Sequence, residues 1–338
     1  MSTNNRNLSM AEALREALYE EMKENDEVFL MGQDIGTPNG WGGPFTVCRG
    51  LVEEFGSERV RNVPISEKAI VGCCVGSAMM GMKPVGEVQY SDFLFTCMDE
   101  IVNEAAKMRY MSNGQYKVPM VFRAPTGATT RGAQHAQSPE GMFMHIPGLK
   151  VVAPSNAYDG KGLLKAAIRD DSPVLFFEHK LLYGAKNRDE SDEIEANTHV
   201  PEDDYIVPLG KAKIKKSGND ITMISLLYTV HLALQAANIL KDDGIDSEVI
   251  DLRSLAPLDE ETIMKSVEKT KKVLIIEEDN KTLGWGAEIA ALIAENFQNV
   301  KIKRVAALDV PIPFAPNLEN YVIPNKENIL NEVEKIFV

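Results

Sequence analysis

The sequence predicts an α/β chain of two doubly wound domains, and three observations carry that reading. Apolar runs of strand length, such as Val28-Phe29-Leu30-Met31 and Val273-Leu274-Ile275-Ile276, lack polar alternation, as strands buried on both faces of a parallel sheet require. They alternate with segments of helical spacing, the order that covers such a sheet with helices. A stretch from Ala185 to Asp204, rich in Asp, Glu, Asn and Lys, separates two such series. Residues 1–185 are therefore expected as one domain, 186–204 as a solvated linker and 205–338 as a second domain. A chain of 338 residues also exceeds the roughly 250–300 at which single cores stop growing.

The elements follow in order. Ser9-Met10-Ala11-Glu12 is a capping-box pattern, in which the serine oxygen accepts an orphan backbone N–H and the glutamate reaches back to the cap. Met10, Ala13, Leu14, Ala17, Leu18 and Met22 then repeat at helical spacing, so a helix is predicted to about Asn25. The strand at 28–31 ends in a turn at Gly32-Gln33-Asp34. Beyond it come strands over 59–63, 84–88, 119–123, 149–153 and 173–178, with helices over 69–82, 99–111 and 158–169. After the polar stretch, strands are expected over 221–227, 247–252, 272–277 and 301–306, alternating with helices over 230–240, 260–267, 286–297 and 327–337.

Composition excludes several functions. A net charge of −14, spread along the chain, repels nucleic-acid backbones and anionic membranes. No run reaches the ~18 apolar residues of a membrane helix, and the N-terminus has no secretory pattern. Cys48, Cys73, Cys74 and Cys97 form neither a CxxC pair nor a zinc-spaced set, so reduced thiols and a cytoplasmic location are expected.

Candidate chemistry lies near predicted strand ends. Glu67 follows Val63-Pro64-Ile65-Ser66 and opens a helix of small residues. It is either a first-turn glutamate favoured by the helix dipole or a carboxyl placed to exchange a proton with a ligand. Phe93, in Glu87-Val88-Gln89-Tyr90-Ser91-Asp92-Phe93, is a core aromatic or a flat face for a ring. His135, in Ala133-Gln134-His135, is surface loop or an imidazole able to give and take a proton. The run Leu283-Gly284-Trp285-Gly286-Ala287-Glu288 imitates a dinucleotide fingerprint, but its third small residue falls on Ile289, and it reads as a loop and helix start.

Taken in order, these motifs resemble the β subunit of the thiamine diphosphate-dependent first component (E1) of the 2-oxo acid and acetoin dehydrogenase complexes. The resemblance runs from Leu8-Ser9-Met10-Ala11-Glu12-Ala13 to Pro311-Ile312-Pro313-Phe314. It implies a thiamine diphosphate-binding pyrimidine domain followed by a transketolase C-terminal-like domain. By resemblance, Glu67 hydrogen-bonds a ring nitrogen of the cofactor's aminopyrimidine and drives its tautomer change. Phe93 stacks on that ring, Gln89 lies near the same pocket, and His135 faces the substrate channel. A monovalent-cation site is implied at Ala167, Ile168 and Asp170, with potassium as the ion. Two departures stand out: Ala136 replaces a serine common in relatives, and Gly32-Gln33-Asp34 replaces Gly-Glu-Asp.

Relatives that hold the diphosphate carry Gly-Asp-Gly with a later Asn, as oxygen ligands for Mg2+; this chain has no Gly-Asp-Gly. The resemblance thus implies that an E1 α subunit completes the site in an α2β2 heterotetramer and that the acyl group passes to a lipoylated E2. Trp41-Gly42-Gly43, the segment from His145 to Lys150 and that from Glu178 to Tyr183 look most like acetoin dehydrogenase β subunits. Pyruvate or branched-chain 2-oxo acids are the alternative substrates. A non-catalytic α/β subunit is the alternative of another class, and a NAD-dependent dehydrogenase a weaker enzyme alternative.

Overall fold

The computed structural model describes residues 6–184 and 194–338. It divides into two compact units, Met1–Thr126 with Ile146–Leu209 and Gly127–His145 with Gly210–Val338. Of the expected linker, 186–193 lies outside the described residues. Its remainder is structured: Thr198–His199 pairs antiparallel with Asn7–Leu8, and Val200 is buried against Ala13 and Ala157. Apolar side chains scattered through the polar stretch supply this anchor.

In the first unit the sheet strands are β1 (Val28–Gly32), β2 (Val60–Asn62), β3 (Lys83–Glu87), β4 (Val121–Thr126), β5 (Lys150–Val152) and β6 (Val174–His179). Their order is β5-β6-β4-β3-β1-β2, and every one of these pairings is parallel. Buried on both faces, β1, β4 and β6 are continuous apolar or paired-polar runs, as the sequence pattern required. Helix α1 (Met10–Glu24) begins at the predicted capping box, with Ser9 Oγ accepting the Glu12 N–H and Glu12 Oε2 accepting the Ser9 N–H. Its apolar stripe packs on helix α3 (Ala157–Arg169). Lys161, fully buried in α3, crosses to Glu20 of α1 at 2.7 Å. Between them in the chain, helix α2 (Glu67–Met79) follows β2.

The helix expected over 99–111 is not continuous. A π-helical turn spans Glu100–Ala105, and an α-turn, Met108–Met111, follows. The Ala106 N–H bonds Ile101 O at 3.0 Å, five residues back. Gly148, at φ +93°, approaches so closely that a Cβ there would strike the Ala106 carbonyl. The widened turn presents that carbonyl to a neighbour that only glycine can supply.

The second unit holds a five-stranded sheet of β7 (Lys213–Lys216), β8 (Ile221–Ser225), β9 (Ser247–Asp251), β10 (Lys272–Asn280) and β11 (Lys301–Ala307). The order is β11-β10-β8-β9-β7, parallel except for the antiparallel edge strand β7. Helices α4 (Thr229–Asp242), α5 (Glu260–Thr270), α6 (Trp285–Asn296) and α7 (Lys326–Phe337) alternate with the strands. At the start of α6 the Gly286 N–H donates to Glu277 Oε2 at 2.7 Å, and Arg304 Nε donates to Glu277 Oε1 at 2.9 Å. The helix end that a dinucleotide's pyrophosphate would need is thus taken by the protein's own carboxylate.

Candidate active site

The carboxyl ends of the parallel strands in the first unit carry a buried charge cluster. Glu87 closes β3 and is the lateral partner of Arg123 in β4; Glu178 lies near the end of β6. Arg123 donates from Nη1 to Glu87 Oε2 at 2.6 Å. It also forms a fork with Glu178, Nε to Oε1 and Nη2 to Oε2, both at 2.7 Å. The Tyr183 hydroxyl donates to Glu178. Burial raises the Glu87 carboxyl above its ordinary value while Arg123 pulls it back down. Burial opposes the charge on Arg123, but Glu178 and Glu87 outweigh it and keep the guanidinium charged.

From this cluster a chain of amides leads to Glu67. Gln89 Nε2 donates to Glu87 Oε1 at 2.6 Å and to the Gln33 carbonyl at 3.0 Å. Gln33, itself only 6% exposed, donates from Nε2 to Glu67 Oε1 at 3.3 Å. Glu67 is half-buried at the first position of α2, and Oε2 has no donor among the described residues. Gly43 sits where a Cβ would come within 3.1 Å of Glu87 Oε1, so a larger residue would crowd the cluster.

Phe93 lies in the 3-10 turn Ser91–Cys97, half-buried, with its N–H on the Tyr90 carbonyl at 2.9 Å. That turn packs against α2. The Cys97 thiol at its end is pushed up to about 12, by burial first and then by the charges of Glu100 and Glu67. Glu67, Gln89 and Phe93 are therefore gathered in one unit, with a half-exposed carboxylate and a half-exposed ring on neighbouring elements. Such a pair suits a polar-edged aromatic ring, which needs one hydrogen-bond acceptor and one flat apolar face.

His135 belongs to the other unit. Its loop leaves β4 and is held by carboxylates that accept backbone N–H groups: Glu278 from Ala128 at 2.6 Å, Glu319 from Thr130 at 2.7 Å and Asp279 from Gly141 at 3.1 Å. The His135 N–H closes a tight turn on the Gly132 carbonyl at 3.1 Å, and the ring is half-buried. A cavity of about 390 Å³ opens beside this loop, lined by Ala133, Gln137, Ser138, Glu278, Asn280 and Asp309 among others. The buried Ser138 hydroxyl on its wall has no hydrogen-bond partner among the described residues.

Ala167, Ile168 and Asp170 sit at the end of α3. The Ala167 carbonyl accepts the Asp170 N–H at 3.3 Å, and the Ile168 carbonyl accepts Lys83 Nζ at 3.0 Å. Asp170 accepts from the Lys150 ammonium and, at 2.8 Å, from the Ser172 N–H. Each of the three oxygen sources thus already has a protein donor.

Sequence reasoning did not single out Gln33, Arg123, Glu178 or Tyr183 as site residues. Arg123 carried a signal, since a guanidinium inside the apolar run Val121-Phe122-Arg123-Ala124 must find buried anions. Gln33 carried one only as a departure from a family pattern.

Comparison with known proteins bears on the same regions. Residues 6–186 match the family described as transketolase, pyrimidine binding domain, and residues 210–329 the transketolase, C-terminal domain. The 2-oxoisovalerate dehydrogenase subunit beta of Bacillus subtilis is 45% identical over 95% of this chain and 96% of that protein. The pyruvate dehydrogenase E1 component subunit beta of Rickettsia felis is 43% identical over 97% and 98%. The acetoin:2,6-dichlorophenolindophenol oxidoreductase subunit beta of Bacillus subtilis is 42% identical over 96% and 95%. A solved structure described as a split gene transketolase, inactive beta4 tetramer, superposes with a TM-score of 0.78 at 22% identity, over 97% of this chain and 98% of that one. That likeness is one of fold.

Proposed function

Because the chain belongs to the E1 β subunits of the thiamine diphosphate-dependent 2-oxo acid and acetoin dehydrogenases, we propose that it supplies the aminopyrimidine half of a thiamine diphosphate site. When bound, the cofactor supplies the carbon nucleophile that cleaves a C–C bond next to a carbonyl. The observation that carries this reading is the half-buried Glu67 carboxylate, fixed at one oxygen by Gln33 beside the turn that bears Phe93.

In this reading Glu67 Oε2 would share one proton with a ring nitrogen of the aminopyrimidine, donating the hydrogen bond when the carboxyl holds the proton and accepting it when the ring does. Phe93 offers the ring a stacking face, and Gln89 fixes the backbone at Gln33. The Arg123 cluster behind them holds the strand ends in place and excludes water. His135 manages protons in the substrate channel. An E1 α subunit, in an α2β2 assembly, holds the diphosphate through Mg2+, and the acyl group passes to a lipoylated E2. A cytoplasmic site of action fits the four cysteines, which are all free.

The proposed substrate is acetoin, on the sequence segments around Trp41, His145 and Glu178. The 45% and 43% identities to branched-chain and pyruvate β subunits support a second reading, in which the substrate is a 2-oxo acid. The test is co-expression with an E1 α subunit and dye reduction with thiamine diphosphate and Mg2+, comparing acetoin, pyruvate and a branched-chain 2-oxo acid. Turnover that needs both chains supports the split site, and the preferred substrate selects between the readings. An assembled, cofactor-loaded pair that turns over none of them would reject both.

A further inference from the structure

We propose that Gln33 is the positioning residue for Glu67, a proton-inert donor that fixes one carboxylate oxygen so that the other is presented to the ligand. The inference rests on the reading of Glu67 as the proton-exchanging group. Its basis is geometric. An ionised carboxylate only accepts hydrogen bonds, so the Gln33 amide must turn its NH2 toward Glu67, as it does at 3.3 Å. Gln33 is nearly fully buried and leaves the end of β1 through Gly32. A Cβ at Gly32 would come within 3.1 Å of Glu87 Cβ, so the backbone that carries Gln33 lies tight against the strand that carries Glu87.

The backbone of Gln33 is held as firmly as its side chain is directed. Gln89 bridges the Gln33 carbonyl, at 3.0 Å, to Glu87, at 2.6 Å. Glu87 is in turn anchored by Arg123 and the Glu178 fork. The result is a continuous path from a buried ion cluster to Glu67 whose last two members, Gln89 and Gln33, are amides that cannot titrate. The path therefore places no proton-exchanging group between the ion cluster and Glu67. A carboxylate at position 33 would behave otherwise, because two carboxyls within hydrogen-bond distance take up protons as a coupled pair.

Gln33→Glu and Gln33→Met test this in the assembled αβ enzyme, beside Glu67→Gln. Gln33→Met should lower kcat about tenfold while KM for substrate moves less than about twofold, since only the aim of the proton-exchanging group is lost. Gln33→Glu should move the acid limb of the pH–rate profile upward by about one unit or more. Isotope-edited infrared spectroscopy of the same proteins without cofactor gives a readout independent of turnover. The glutamate carboxylate band that Glu67→Gln removes should titrate at higher pH in Gln33→Glu than in the unsubstituted chain. An unmoved infrared titration together with an unmoved pH profile overturns the positioning role, even where Glu67→Gln abolishes turnover. If instead Glu67→Gln remains active while the infrared titration shifts, the Gln33 contact stands and the catalytic reading of Glu67 falls.

Discussion

Arg123 and Glu178 lie on adjacent parallel strands and form a two-pronged ion pair, both prongs at 2.7 Å, with neither side chain more than 2% exposed. A guanidinium fork on a carboxylate is the strongest geometry available to a buried pair. Here it also pairs with Glu87, so one guanidinium serves both buried carboxyls at the end of the sheet that carries the candidate site.

Arg123→Met should therefore be strongly destabilising. It leaves Glu87 and Glu178 buried without a counter-charge, and breaking such a pair costs about 3–5 kcal/mol. Urea unfolding of the isolated chain would show a large drop in midpoint at unchanged slope. A loss below about 1 kcal/mol would mean that the carboxylates find water instead.

Asp279 gives a pH signature. Its carboxyl is raised from 3.8 to about 7, by burial first and then by the charge of Glu277. The folded state thus binds the proton more tightly than the unfolded state does, and the stability it contributes is complete below about pH 3.8 and lost as pH rises through about 7. Between pH 5 and 8 the unsubstituted chain should lose a few degrees of Tm relative to Asp279→Asn, in which the amide oxygen can still accept the Gly141 N–H. Parallel Tm curves for the two proteins would contradict this.

Gly148→Ala should destabilise by about 2 kcal/mol or more, since it combines a left-handed backbone with a clash on the Ala106 carbonyl. Thermal unfolding reads the loss directly. An unchanged Tm would show that the π turn at Glu100–Ala105 can relax at no cost.

Phe93→Ala should weaken thiamine diphosphate binding by about tenfold, the scale of one lost ring–ring contact. The αβ pair should still assemble, because Phe93 is half-buried rather than part of the sheet core. Fluorescence titration with the cofactor checks it, and an unchanged Kd would remove Phe93 from the site.

Local signals were the legible ones. The Ser9–Glu12 capping box and the β1 run at Val28–Gly32 read correctly because their causes lie within a few residues. The break in the 99–111 helix did not: the Ala106 carbonyl at that break lies against Gly148, a contact from a distant part of the chain. Strand β7, Lys-Ile-Lys-Lys, was invisible because an edge strand need not be apolar. In the candidate site, Glu67, Gln89 and Phe93 were readable as residue types in a pattern. The link from Gln33 to Glu67 spans 34 positions and needed the β1-β2 pairing, Gly32 beside Asn62, to appear.

Dye reduction by the αβ enzyme carrying Glu67→Gln, with assembly followed by gel filtration, tests the role of Glu67 most directly. Glutamine keeps the size of the side chain but cannot carry the proton, so turnover should fall by about a hundredfold or more, the contribution of a positioned proton-transfer group, while assembly is intact. Turnover within a few-fold of the unsubstituted enzyme would remove Glu67 from the proton exchange.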